Sequence, residues 1–413
     1  MNHRTILHCD MNNFYASVEC MLNPKLKAFP VAVCGDAEER HGIVLAKNYK
    51  AKAYGVATGE AIWQAKQKCP DLVVVPPHYD EYMKFSKLAR EIYGRYTDLV
   101  EPFGMDECWL DCTGSTRMLG SGEKIANEIR ETMKLELGLT ISVGVSFNKI
   151  FAKLGSDMKK PDAVTVIPPD TFREIIWHLP ASDMLGVGRA TEKKLTSYGI
   201  HTIGDLARWP MEFFRFKLGK CGVDLWRFAN GLDDSRVTVR DFEALDKSAG
   251  HGTTTLQDLE NSAEVWKVML ELAQDIGHRL RLYHKRATGV SVTIRDNELF
   301  FKQWQCVLQV STQSPSEIAR ECFSLFDRNY RWEKPIRSVT VRAINLVSQS
   351  MPEQLNLFCN TTQLQRTEAL DNCIEDIRRR FGKHAIRNCI LLDNPKMSPR
   401  GNPNIIMPTG VPL

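Results

Sequence analysis

Three carboxylates sit where chemistry could be done. Asp10 closes a short apolar stretch from Thr5 that reads as a buried strand. Asp106 and Glu107 lie in Gly104-Met105-Asp106-Glu107-Cys108-Trp109-Leu110-Asp111, where the pattern predicts a strand, a turn and another strand. A carboxylate at a strand end costs solvation energy unless it meets a cation. Three of them converging at a sheet edge would form a hard, all-oxygen site. Such a site suits Mg²⁺, which takes a few carboxylates together with substrate phosphates. Neighbours in a regular strand point to opposite faces. Asp106 and Glu107 can therefore share a cation only where the backbone bends, and Gly104 is a turn residue in the right place. The dipeptide by itself reads more readily as an exposed hairpin tip.

Those groups have to be positioned by a chain of 413 residues, which at about 150 residues per domain predicts about three domains. Hydrophobic residues are 43% and charged residues 25%, the balance of a globular protein rather than a disordered or fibrous one. No apolar run approaches the roughly 18 residues that cross a bilayer. No signal peptide is visible at the N-terminus. Lys plus Arg is 54 against 50 Asp plus Glu, a net charge of +4. Nucleic-acid binding then requires the positive charge to be gathered on one surface. The 12 cysteines form no CxxC pair and no zinc-finger spacing with His. They read as unpaired thiols in a reducing cytoplasm. Cys9, Cys34, Cys108, Cys306 and Cys389 lie in apolar stretches as small hydrophobes.

Strands and helices alternate irregularly to Ile167, which predicts an α+β domain with an antiparallel or mixed sheet. Pro168-Pro169 marks a boundary. Short helices punctuated by Gly follow over 169–234, and 235–246 reads as a polar linker. In 247–347, Val265, Met269, Leu272, Ile276 and Leu280 recur at helical spacing. Val290, Val292 and Ile294, and again Val339, Val341 and Ala343, alternate as strands. The order is β-α-β-β-α-β, with one sheet face covered by helices and an open one carrying Ser, Thr and Arg. Beyond Val347 periodicity fades, except for a helix over about Gln363 to Phe381. The tail from Pro395 is expected to be mobile.

The segment His8-Cys9-Asp10-Met11-Asn12-Asn13-Phe14-Tyr15-Ala16-Ser17-Val18-Glu19 closely resembles the opening motif of the Y-family translesion DNA polymerases. Gly104 to Asp111 resembles their second catalytic motif. Gly144-Val145-Ser146-Phe147-Asn148-Lys149 through Lys160-Pro161 resembles their third. The match runs to about Val347 and is most similar to the bacterial DNA polymerase IV class. It implies a right-hand polymerase. The mixed-sheet palm and small fingers would occupy 1–168, with the fingers inserted at about 19–77. A helix-hairpin-helix thumb would occupy 169–234, the linker 235–246 and the little finger 247–347. A C-terminal tail would take 348–413.

By that resemblance Asp10, Asp106 and Glu107, with the carbonyl of Met11, would hold two Mg²⁺ ions. Tyr15 would be the steric gate against a 2′-hydroxyl, while Phe14 packs. Tyr49, Lys52 and Lys160 would grip the triphosphate. Lys52 stands where the family more often has Arg, and Ala46 where it more often has a hydroxyl residue; Lys offers a point charge without the bidentate fork. Gly186 and Gly188 would let backbone N–H groups approach a DNA phosphate. The cluster Arg279, Arg281, His284, Lys285 and Arg286, with Arg295, Arg337 and Arg342, would form a basic DNA-binding surface. Gln354-Leu355-Asn356-Leu357-Phe358 resembles the short peptide that holds the sliding clamp, with Gln354, Leu355, Leu357 and Phe358 as its contacts.

The function implied is low-fidelity, template-directed extension of primers past damaged template, by a cytoplasmic monomer acting on primer–template DNA and deoxynucleoside triphosphates. Small residues at Ala32 and Ala46 would leave the nascent pair loosely enclosed. Two rivals remain at this stage: a catalytically silent, clamp-recruited DNA-binding scaffold, and a nucleotidyl cyclase on a similar palm.

Overall fold

The computed structural model describes residues 4–38, 40, 42–239, 247–352, 361–392, 396 and 397. They fall into two compact units, the second formed by the chain from Leu245 to Ile405 together with Asp36–Gly42.

The first unit opens with β1 (Ile6–Met11), all six residues buried, and α1 (Phe14–Leu22). Next come β2 (Val31–Cys34), β3 (Val44–Lys47), α2 (Tyr49–Ala53), α3 (Ile62–Lys68) and β4 (Val73–Val75). After α4 (Tyr79–Tyr93) the chain forms β5 (Val100–Pro102), β6 (Glu107–Asp111), α5 (Thr116–Leu119) and α6 (Gly122–Leu137). β7 (Ile141–Ser146), α7 (Lys149–Met158) and β8 (Val164–Ile167) complete this part. Five strands make a sheet in the order β5-β6-β1-β7-β8. β1 runs antiparallel to β6 and β7, while β7 and β8 are parallel, so the sheet is mixed. A second sheet, β3-β2-β4, packs Ala32, Cys34 and Val44 against Ala51, Ala65, Cys69 and Leu72.

Strand alternation decides what each face of the large sheet carries. His8 and Asp10 share the face on which α7 lies, and their cross-strand partners are Trp109 and Glu107. Leu7 belongs to the other face, beside Gly122 of α6. α7 is capped by Asn148, whose side chain accepts from Phe151 N at 2.8 Å. It rides directly on β7: a Cβ on Gly144 would stand 1.8 Å from the Ala152 carbonyl oxygen.

The chain then becomes helical: α8 (Phe172–Ile176), α9 (Arg189–Ser197), α10 (Ile203–Arg208) and α11 (Met211–Ala229). Short helices were expected throughout. α11 instead runs 19 residues and is broken by non-helical Gly219 (φ 65°). Ile200, Ile203, Leu206, Phe214 and Leu225 give these helices an apolar centre. The described start of the expected linker is strapped down, with Thr238 N donating to Glu101 at 3.0 Å and Arg4 donating to the Asp233 and Ser235 carbonyls.

The second unit comprises β9 (Ser248–Leu259), α12 (Ser262–Leu282), β10 (Lys285–Asp296), β11 (Phe301–Thr312), α13 (Pro315–Asn329) and β12 (Ile336–Ser348). This is the β-α-β-β-α-β order that the periodicity predicts. The sheet is β11-β10-β12-β9, antiparallel throughout. Val290, Val292, Ile294, Val339, Val341 and Ala343 turn to the helices and are buried. On the other face, one row reads Gly250, Arg342, Ser291, Gln305 and the next Gly252, Thr340, Thr293, Gln303. A further helix, α14 (Thr361–Phe381), follows. Cys389 is exposed rather than packed. Most of the tail from Pro395, and the whole of Gln354 to Phe358, lie outside the described residues.

Candidate active site

Asp10 and Glu107 are direct cross-strand partners at the ends of β1 and β6. Asp106 lies one residue before β6 begins, so strand alternation does not govern it. Its carbonyl accepts from Met11 N at 3.0 Å, and Gly104 makes the turn at φ 88°. This is the bend that lets both neighbours reach one place. Met11 is the last residue of β1. Asn12 ties the following loop down, donating to Ser142 Oγ at 3.0 Å and accepting from Asp162 N at 2.9 Å.

Two lysines complete the cluster. Lys160 Nζ lies 2.6 Å from Asp10 and 2.9 Å from Asp157. Lys153 Nζ is ion-paired with Glu107. His8 Nε2 stands 3.2 Å from the same Glu107 oxygen, and His8 Nδ1 is 2.8 Å from Ser156 Oγ.

The three carboxylates titrate apart. Burial raises Asp10 to about 6, against the pull of Lys160 and with Glu107 adding to the rise. Burial, then the charges of Asp10 and Glu107, raise Asp106 to about 7. Burial opposes ionisation of Glu107 too, but His8 and Lys153 beside it draw it down to about 2. An acidic group that resists its own charge beside an ionised one is a seat for a cation. Among the described residues no three His, Cys, Asp or Glu side chains already stand as a metal shell. The ammonium groups of Lys160 and Lys153 occupy the cationic positions instead. The donor set, oxygen only and with unrelieved repulsion at Asp106, fits a hard divalent ion.

Tyr15 lies face to face with Tyr82, ring centroids 4.3 Å apart and planes 9° apart. Tyr79 meets both edge-on. Tyr82 OH donates to buried Glu19 at 2.5 Å, and His78 Nδ1 is 2.9 Å from the same oxygen. Tyr15 OH reaches Met105 Sδ at 3.7 Å, and burial raises its pKa to about 12. Phe14 is buried, in keeping with packing. Tyr49 opens α2, and Lys52 Nζ stands 5.7 Å from its ring centroid; both Asp10 and Lys160 act electrostatically on Tyr49.

Elsewhere the expectations divide. Gly186 adopts φ 94° and exposed Gly188 caps α9 with no atom within 4 Å of a Cβ there, an accessible backbone. Arg295 and Arg342 are exposed; Arg337 falls at the register shift of β12. Arg286 is already partnered: its guanidinium is met by Glu368 at 2.7 Å, as Arg281 is by Asp371 at 3.2 Å, because α14 lies over them. Ala32 is a correction. It is wholly buried in the small sheet's core and so offers no surface to a nascent pair.

The sequence reading missed His8 and Lys153. His8 is two residues before Asp10, hence on the same strand face. Lys153 stands one helical turn after Lys149. Both signals are periodicities, legible once the strand and helix are placed.

Residues 9–157 match the impB/mucB/samB family and 246–357 that family's C-terminal domain. Residues 182–233 match the thumb domain of DNA polymerase-iota. The chain is 51% identical to a DNA polymerase IV of Acetivibrio thermocellus, covering 95% of this chain and 98% of that protein. Identity to a DNA polymerase IV of Pelotomaculum thermopropionicum is 37%, over 94% and 95%. A DNA polymerase IV 1 of Bacillus subtilis is 34% identical, over 96% and 95%. In fold it resembles a solved Y-family DNA polymerase chimera of Dbh and Dpo4, with TM-score 0.74 and 22% identity, covering 83% of this chain and 99% of that one.

Proposed function

Because this chain belongs to the impB/mucB/samB family and is a DNA-directed DNA polymerase of the Y family, we propose that Asp10, Asp106 and Glu107 are its catalytic carboxylates. Its substrates are primer–template DNA and deoxynucleoside triphosphates, and its activity is template-directed lesion bypass. Enzymes of this family use divalent metal ions. Asp10, Asp106, Glu107 and the Met11 carbonyl would hold two Mg²⁺ ions here. Bound there, they would supply activation of the primer 3′-hydroxyl and neutralisation of the triphosphate and departing pyrophosphate.

The chain's own groups do the rest. Lys160 sits on Asp10 and so meets a triphosphate drawn to the carboxylates; Tyr49 and Lys52 border the same approach. Lys153 and His8 orient Glu107. Tyr15 excludes a 2′-hydroxyl by overlap, and its stack on Tyr82 keeps the ring from yielding. Gly186 and Gly188 receive a DNA phosphate on backbone N–H groups. Arg295, Arg337 and Arg342 contact the backbone without reading sequence. Gln354 to Phe358 carries the sliding-clamp contact. The enzyme acts as a monomer in the cytoplasm.

The observation that carries this reading is the Asp10–Glu107 cross-strand pair with Asp106 hooked beside it through Met11 N. Primer extension on undamaged template with Mg²⁺ tests it. Extension by the parent that vanishes in Asp106→Ala is expected. Extension that survives the substitution would place the active site elsewhere. A folded, DNA-binding parent that extends nothing, with clamp and Mn²⁺ also tried, would leave a silent scaffold.

A further inference from the structure

α14 begins after residue 357, where the match to the family's C-terminal domain stops. Its hydrogen bonds and ion pairs to the rest of the second unit run along one polar stripe, Glu368, Asp371, Glu375 and Arg378, whose spacings of three, four and three define a single helix face; Ile374 and Ile377 beside it are partly buried. Glu368 accepts from Arg286 at 2.7 Å and from Gln313 at 3.2 Å. Asp371 lies 3.2 Å from Arg281, each side chain only 12% exposed. Glu375 lies 2.5 Å from His278 Nδ1. Arg378 donates to Gln274 at 2.9 Å and to the Ile386 carbonyl. The apolar side chains Leu370 and Phe381 are exposed instead, at 60% and 73%.

A helix seated by hydrophobic packing shows the reverse pattern, with its apolar stripe inward. The seat of α14 is therefore chiefly electrostatic. Arg286–Glu368 and His278–Glu375 are open enough to weaken with salt and yield to competing charge, while Arg281–Asp371 is the costlier pair to part unless a phosphate replaces the carboxylate. Once lifted, an isolated helix of this length is only marginally stable in water.

We propose that α14 is a releasable acidic strap over a polyanion-binding surface. His278, Arg281 and Arg286 bind the phosphodiester backbone of nucleic acid when α14 lifts, and its carboxylates stand in for phosphates when it is seated. This deepens the polymerase reading and rests on it: Arg281 and Arg286 belong to the basic surface that the family resemblance implies, and what is new is the acidic strap that covers them, at a place remote from the exposed Arg295 and Arg342. Arg295 stands nine residues further along β10, about 30 Å at the rise of a strand.

The test uses the full chain and a fluorescent primer–template duplex, titrated by anisotropy across a range of salt. The variant Glu368→Gln/Asp371→Asn/Glu375→Gln removes the strap's charge. It should bind more tightly at low salt, and its plot of log K against log salt should steepen by about 2, close to 0.9 for each newly neutralised phosphate. Adding Arg281→Ala and Arg286→Ala should return the slope to that of the parent. An equal change of net charge on exposed residues of the same unit, Glu260→Gln/Asp327→Asn/Glu333→Gln, should leave it unchanged. A slope that stays flat in the strap variant, rises equally in the control, or survives loss of the two arginines would overturn the proposal. Should the triple variant fold poorly, Glu368→Gln alone should steepen the slope by about 1, and no change there overturns it equally. Primer extension by the parent, run alongside, reports on the polymerase reading separately.

Discussion

Asp106 and Glu107 adjoin in the chain and oppose each other in electrostatics. Glu107 is held ionised by Lys153 and His8, while burial and two like charges hold Asp106 near half-protonation at neutral pH. In the metal-free protein this has a sign. The folded pKa of Asp106 is about 7 against an ordinary 3.8, so the folded state binds the extra proton between those values. The contribution of Asp106 is favourable below about pH 4 and is lost as the pH rises to about 7. Asp106→Asn removes the titration. In the presence of chelator, the Tm of Asp106→Asn minus that of the parent should grow from pH 4 to 7 and level off above. A flat difference would mean that Asp106 titrates normally. Tyr15 supplies a second prediction at this scale. Tyr15→Ala should raise ribonucleotide use relative to deoxynucleotide use at least about tenfold, which is about 1.4 kcal/mol, read as a ratio of kcat/KM values. Tyr15 itself was legible from its motif. Its support, Tyr82 on Glu19, was not, because the two lie 63 residues apart and meet only by folding.

At the scale of elements, α7 brings the site's cations to the sheet. It can do so only because Gly144 has no side chain, since a Cβ there would lie 1.8 Å from the Ala152 carbonyl oxygen and 2.5 Å from Ser156 N. Backbone cannot step aside as a side-chain tip can. Gly144→Ala should lower stability by about 3 kcal/mol in urea denaturation and cut primer extension by displacing Lys153. The first residue of the same helix, Lys149, lies 2.6 Å from Glu101, and both are buried. Lys149→Met leaves Glu101 charged without its partner, a change that costs about 3–5 kcal/mol in such pairs. The midpoint of urea denaturation checks it. The partnership with Glu101 was not legible in the sequence, since neither residue carries a local mark of it.

For the whole molecule, a net charge of +4 makes DNA affinity a matter of where cations stand rather than how many there are. Arg295 and Arg342 are exposed on the open sheet face, while Arg281 and Arg286 are covered by α14. Arg295→Ala/Arg342→Ala should therefore weaken duplex binding across all sequences and reduce the salt slope by about 2. The same pair of substitutions at Arg281 and Arg286 in the parent should change it little while α14 is seated. From sequence, these arginines formed one basic cluster. Nothing local distinguishes an arginine facing solvent from one facing a carboxylate 82 residues away.

Periodicity was enough to determine most of the elements and the β-α-β-β-α-β order of the second unit, and the resemblance of short motifs singled out the three carboxylates and Tyr15. Each of these is encoded within a few neighbouring residues, where alternation by two or by 3.6 and a turn glycine act directly on the backbone. Tertiary structure alone decided that Lys160 meets Asp10 and Lys153 meets Glu107, that Ala32 is core, and that α14 covers Arg281 and Arg286. Those are pairings between distant segments, set by which faces must be buried together, and charge or size at a single position does not specify the partner.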